Sequence, residues 1–123
     1  MYPKILLIEP SGNIDRLLEN ISALGICNCI STTEFSLRYP LWQNLSPHLI
    51  IVDFDYPNFN GYLFAQIVNS RNDRPRIPIV ALIAADGRSE QMTAGYAVDR
   101  YLIKPITSDR LMQTIHMYLP SRS

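Results

Sequence analysis

Apolar residues fall along this chain in two alternating kinds of run: short unbroken aliphatic stretches, and longer stretches in which they return every three or four positions. The aliphatic runs are Lys4-Ile5-Leu6-Leu7-Ile8-Glu9-Pro10, Ile26 to Ser31, Leu49-Ile50-Ile51-Val52-Asp53, Ile77-Pro78-Ile79-Val80-Ala81-Leu82-Ile83-Ala84 and Val98 to Ile103. The first, third and fourth runs, aliphatic and without polar alternation, predict strands buried in the core, and Ile26 to Ser31 and Val98 to Ile103 read as a short second and a fifth strand. Pro78 stands at the start of its strand, where a missing N–H is tolerated. The intervening stretches read as helices. Ile14, Leu17, Leu18, Ile21 and Leu24 form one stripe, with Ser11 or Asn13 placed to cap its start and Gly25 suited to a left-handed stop. Thr32 or Thr33 caps a weaker second helix that Pro40 kinks or ends. Asn44-Leu45-Ser46-Pro47 is a turn, and Gly61, Leu63, Phe64, Ile67 and Val68 give the face of a third helix. Arg71 to Arg76 is a charged loop. Asp86 to Ala94, poor in large apolar residues, predicts a short, exposed fourth helix of low local stability. Thr107 or Ser108 caps the last helix, whose stripe is Leu111, Ile115, Tyr118 and Leu119. Strands alternating with helices in this way require an α/β fold with a parallel sheet covered on both sides.

Composition narrows the functional classes. With 123 residues, 47% of them hydrophobic, the chain reads as a single domain, 1–123, able to build its own core. Eleven basic and eleven acidic residues cancel. There is accordingly no electrostatic case for nucleic acid or an anionic membrane. The longest apolar runs are too short to span a bilayer, no signal-peptide pattern opens the chain, and a cytoplasmic location is expected. Cys27 and Cys29, the only cysteines, point to one face of their strand and read as buried thiols, since a metal site needs further ligands nearby. His48 and His116 read as surface residues, Trp42 as a core or boundary anchor, and Met92 and Met112 as surface or gap-filling residues.

Three strands end in ionisable groups: Glu9 on the first, Asp53 on the third, Lys104 on the fifth. A parallel sheet brings all three to one edge, the carboxyl ends of the strands, where α/β folds place ligands and chemistry. Asp53 and Asp55 can also be read as nothing more than the opening of a polar turn. Two carboxylates and a lysine converging there can hold a divalent cation together with an anionic group, because Mg²⁺ takes one or two carboxylates plus phosphate oxygens and water.

At this point the chain resembles the receiver domain of bacterial two-component response regulators over essentially its whole length. The resemblance rests on Lys4-Ile5-Leu6-Leu7-Ile8-Glu9; on Pro47-His48-Leu49-Ile50-Ile51-Val52-Asp53 with Pro57-Asn58-Phe59-Asn60-Gly61; on Ile77-Pro78-Ile79-Val80-Ala81-Leu82; and on Tyr101-Leu102-Ile103-Lys104-Pro105. It implies a flavodoxin-like (βα)5 doubly wound sheet of strand order 2-1-3-4-5, acting as a switch and not primarily as an enzyme. Asp53 would accept a phosphoryl group from a histidine kinase or phosphotransfer protein. Lys104 would pair with the phosphoryl oxygens, and Glu9 with Asp53 would hold Mg²⁺. Tyr101 would report phosphorylation on an output face made by the fourth helix, fifth strand and last helix, where an output domain or partner protein docks. A cis Lys104-Pro105 bond is also expected.

The chain departs from the family pattern in ways that alter this expectation. Pro10 replaces the second of two adjacent acids, and Ile83 replaces the hydroxyl residue that ends the fourth strand. The spacing from Ile83 to Lys104 is one residue short of the usual, and Ala97 stands where a loop glycine is common. A hydrogen bond to a charged acceptor is worth roughly 1.5–3 kcal/mol, so losing the hydroxyl predicts a weakened switch, by about one to two orders of magnitude in active population. Asp55, two residues beyond Asp53, is the candidate to replace the missing acid in the metal shell. A second reading keeps the fold but makes the domain a pseudo-receiver, a phosphorylation-independent protein-interaction module. A third notes that Ile50-Ile51-Val52-Asp53-Phe54-Asp55 looks like the nucleophile motif of haloacid-dehalogenase-type phosphohydrolases, although Pro57 stands where that motif carries Thr or Val.

Overall fold

The central aliphatic runs form strands covered on both faces, and the two edge strands are partly exposed. The computed structural model describes residues 3–9, 13–23, 25, 27–32, 46–55, 61–70, 76–85 and 98–119. In chain order the elements are β1 (Lys4–Ile8), α1 (Asn13–Ser22), β2 (Asn28–Thr32), β3 (Leu49–Asp53), α2 (Gly61–Asn69), β4 (Ile79–Ile83), β5 (Arg100–Ile103) and α3 (Ser108–Tyr118). The helices expected from Thr33 to Pro40 and from Asp86 to Ala94 lie outside the described residues, as do Pro10, Ser11, Trp42, Met92 and Ala97. All strand pairings are parallel, and the sheet order is β2-β1-β3-β4-β5, the expected flavodoxin-like order.

Alternation along the strands divides the core in two. Ile5, Leu7, Leu49, Ile51, Val80, Leu82 and Leu102 pack with Ile21 of α1 and with Leu111 and Ile115 of α3. Leu6, Ile8, Ile50, Val52 and Ile79 pack on the other face with Phe64, Ala65 and Val68 of α2. Every residue of β3 and of β4 is buried, which is why neither shows a polar stripe. At the helix ends, Gly25 has φ 78 after α1, and the Thr107 hydroxyl accepts from Arg110 N–H at 3.2 Å, which settles the last cap on Thr107.

Several strands are shorter than their aliphatic runs, and the hydrogen bonds show why. Lys4 pairs with Asn28 as the first rung of the β1–β2 ladder, so β2 starts at Asn28 and not at Ile26. His48 anchors the same end of β1: Lys4 N–H donates to His48 Nδ1 at 3.0 Å, and His48 N–H donates to the Lys4 carbonyl at 2.9 Å. Asp99 does comparable work for β4 and β5. Its Oδ2 accepts the Ile79 N–H at 2.7 Å, its Oδ1 pairs with Arg76, its own N–H donates to the Ile79 carbonyl, and its carbonyl accepts the Tyr118 hydroxyl at 3.2 Å. One residue thereby ties β4, β5 and the end of α3, leaving β5 to start at Arg100.

Ile79 is fully buried, so removing the Asp99 carboxylate orphans its N–H. An unsatisfied buried donor costs about 1–3 kcal/mol, and Asp99→Ala should lose that much in urea unfolding without change of slope. Loss below half a kcal/mol would show that the tie is dispensable.

Candidate functional site

Strand order reverses between β1 and β3, whose carboxyl ends carry Glu9 and Asp53. Both acids are 4% exposed. Ile8 pairs with Val52, so the next step along each strand sets Glu9 and Asp53 at the same level, flanking the crevice that such a reversal creates.

Asp53 is held from several directions. Phe54 N–H donates to the Leu82 carbonyl at 3.0 Å and fixes the strand end, while Asp55 N–H turns back to donate to Asp53 Oδ1 at 2.8 Å. Lys104 arrives from β5. Its N–H donates to the Ile83 carbonyl at 2.9 Å, and the Lys104-Pro105 bond is cis, as expected. The Lys104 Nζ donates to Asp53 Oδ1 at 2.9 Å, to Asp53 Oδ2 at 3.0 Å and to Asp55 Oδ2 at 3.2 Å. The ammonium thus bridges the two carboxylates, lying across both oxygens of Asp53 and against one oxygen of Asp55.

Burial by itself would lower the Lys104 pKa, because it penalises the charged form. The hydrogen bond and charge of Asp53, followed by those of Asp55, outweigh that penalty and push the ammonium above its ordinary value of 10.5. Lys104 is therefore a fixed cation across the neutral range. Its side chain is 34% exposed, against 5% for Asp53 and 24% for Asp55, so the pair is open to solvent from the lysine side.

The other expected residues fall into place differently. Among the described residues, no three acidic, histidine or cysteine side chains gather closely enough to hold a metal ion by themselves. Asp55, expected with Glu9 and Asp53 in a metal shell, places its Oδ2 against Lys104. Glu9 and Asp53, hard oxygen donors at adjacent strand ends, are of the chemistry that Mg²⁺ takes. Ile83 is fully buried and pairs with Ile103; besides apolar bulk it contributes the carbonyl that positions the Lys104 backbone. Tyr101, half-buried on β5, pairs with Ala81 of β4. The carbonyl of Ile83 and the Asp55 carboxylate are the site contributions the sequence did not disclose. Proximity of Asp55 to Asp53 was the available signal, but it pointed equally to a metal.

Known proteins were compared with this chain. A family model described as the response regulator receiver domain matches residues 5–116. The chemotaxis protein CheY1 of Helicobacter pylori is 27% identical over 122 residues, covering 94% of this chain and 96% of that protein. The phosphate regulon transcriptional regulatory protein PhoB of Rhizobium meliloti is 28% identical over 123 residues, covering 97% of this chain and 53% of that protein. Among solved structures, a response regulator signal receiver domain from Bermanella marisrubri superposes with TM-score 0.78 at 16% identity, covering 96% of this chain and 98% of that one. The likeness to phosphohydrolases, by contrast, is confined to one strand end.

The raised lysine sets the sign of a pH effect. Stability supplied by the Lys104 contacts is fully present below pH 10.5 and is lost as pH rises through the higher folded value. The stability gap between wild type and Lys104→Met should accordingly stay flat from pH 7 to 10 and shrink only above that. A gap that closes near neutrality would contradict the assignment.

Proposed function

The chain belongs to the response regulator receiver family, and from that premise we propose that Asp53 accepts a phosphoryl group from a histidine kinase or phosphotransfer protein in a two-component pathway. The observation that carries this reading is the Lys104 ammonium lying across both oxygens of a buried strand-end carboxylate. The two oxygens are not equivalent. Oδ1 accepts from both the Asp55 N–H and Lys104, whereas Oδ2 accepts from Lys104 alone among the described residues.

Oδ2 is therefore the nucleophile. It attacks the phosphorus of a phosphohistidine, the P–N bond breaks with its electron pair leaving on the imidazole, and an acyl phosphate forms on Asp53. Oδ1 becomes the acyl carbonyl oxygen, still held by the Asp55 N–H, and the Lys104 ammonium passes from the carboxylate to the new phosphoryl oxygens. Mg²⁺ held by Glu9 and Asp53 would neutralise charge on the transferring group. The Asp55 carboxylate, with Oδ2 on Lys104, acts first on the lysine in this reading.

Ile83 qualifies the output. A buried hydrocarbon cannot donate to the phosphoryl group, so the coupling that runs toward Tyr101 and α3 is weak in this reading. The same residue favours the second reading, a pseudo-receiver that binds a partner without phosphate, because the Lys104–Asp53 pair is complete without it.

Treatment with acetyl phosphate and Mg²⁺ should add one phosphate by intact mass and none to Asp53→Asn; labelling that persists in Asp53→Asn sinks the assignment, and no adduct on wild type favours the pseudo-receiver. Ile83→Thr should lengthen the lifetime of the phosphorylated state or enlarge the spectral change at Tyr101. Mg²⁺ affinity in Asp55→Asn should match wild type, and a tenfold loss would return Asp55 to the metal shell.

A further inference from the structure

Far from the strand-end site, the two cysteines of the chain lie side by side at the start of the edge strand β2. Cys27 is 1% exposed and Cys29 half-buried, and their sulfurs are 3.7 Å apart in a thiol–thiol hydrogen bond. Both pack against the core face that α1 covers, beside Leu17 and Ile21. We propose that this pair is an oxidative modification site, converted by hydrogen peroxide into a reversible intrastrand disulfide.

The asymmetry of burial divides the roles. Peroxide meets the half-exposed Cys29 first: its thiolate attacks one peroxide oxygen, the O–O bond breaks, and water leaves after protonation, giving a sulfenic acid. Cys27 is the resolving thiol. Its sulfur attacks the sulfenic sulfur, the S–O bond breaks, and the hydroxide leaves with the Cys27 proton as a second water. Two thiols and one peroxide give one disulfide and two waters, with both sulfurs oxidised and both peroxide oxygens reduced. Burial raises the Cys27 pKa against the lowering effect of the Cys29 contact, which keeps Cys27 from competing for the first step.

Strand geometry makes the bond labile. Residues two apart on a strand have Cα atoms about 6.5 Å apart, close to the upper end of the ~4.4–6.8 Å range disulfides tolerate. Closure therefore requires the chain to pucker, and a strained disulfide of this kind is readily reduced. The fold permits the movement: Cys27 precedes the first rung of the ladder, and β2 has a strand neighbour on one side only. The contact most exposed to the pucker is the Asn28 N–H donated to the Pro3 carbonyl at 2.8 Å. None of these groups belongs to the Asp53 site, so the inference stands apart from the phosphoryl-transfer reading.

The test is peroxide treatment of the wild-type protein followed by alkylation under denaturing conditions and intact mass measurement. The expected product has lost two hydrogens, takes up no alkyl group, and regains both reactive thiols after dithiothreitol. In Cys27→Ser, or Cys27→Ala if the serine is not tolerated in the core, a sulfenic acid on Cys29 should be trapped by dimedone. Two cysteines that remain alkylatable at the peroxide dose that oxidises Cys29 in that variant would overturn the proposal. So would sulfinic acid on Cys29 with Cys27 still free, or a disulfide formed only between chains.

Discussion

A carboxylate at the end of a fully buried strand is the constraint on which the rest of this structure turns. Asp53 is removed from water by the packing that makes β3 the centre of the sheet, and an uncompensated charge there would cost several kcal/mol. Lys104 supplies the compensation, but a lysine can do so only if β5 ends opposite β3 at the right height. The registers Asp53–Leu82 and Leu82–Leu102, with the Lys104 N–H on the Ile83 carbonyl, set that height. The aliphatic uniformity of β3 and β4 is thus more than core filling: it fixes the frame within which one ammonium finds three oxygens.

Much of this was legible in the sequence because two kinds of signal are local. Unbroken aliphatic runs mark strands covered on both faces, and an ionisable residue at the end of three of the five strands marks the edge they share; Glu9, Asp53 and Lys104 followed from that alone. Strand order came only with the family resemblance, since periodicity does not say which strand neighbours which. Strand ends were misjudged where a polar side chain at the start of the stretch, or beyond it, takes the first backbone groups. Asp99 is the clearest case: no pattern links it to Arg76, Ile79 and Tyr118, far away in sequence, yet it decides where β5 begins. His48 reads as a lone surface histidine and is exposed, but its ring nitrogen receives a backbone N–H of β1.

Asp55 shows how one position can serve two readings. Its spacing from Asp53 predicted a side chain returning to the same side, and its Oδ2 accepts from Lys104. Its backbone N–H meanwhile distinguishes the two oxygens of Asp53, a contribution that depends on the turn and not on the side chain.

The three contacts of Lys104 also bear on why the site suits a switch. Lys104 lies against oxygens of both Asp53 and Asp55, so in the proposed transfer an incoming phosphoryl group competes with those carboxylates for the ammonium. Among the described residues three carboxyl groups, Glu9, Asp53 and Asp55, stand against one ammonium at this edge, and in the proposed transfer a phosphoryl group would add further negative charge that a divalent cation would offset. On β4 the described residues bring no side-chain donor to this end: Ile83 offers its carbonyl to Lys104 and carries a buried hydrocarbon side chain. In the proposed reading, acceptance of phosphate and transmission of its arrival therefore rest on different residues.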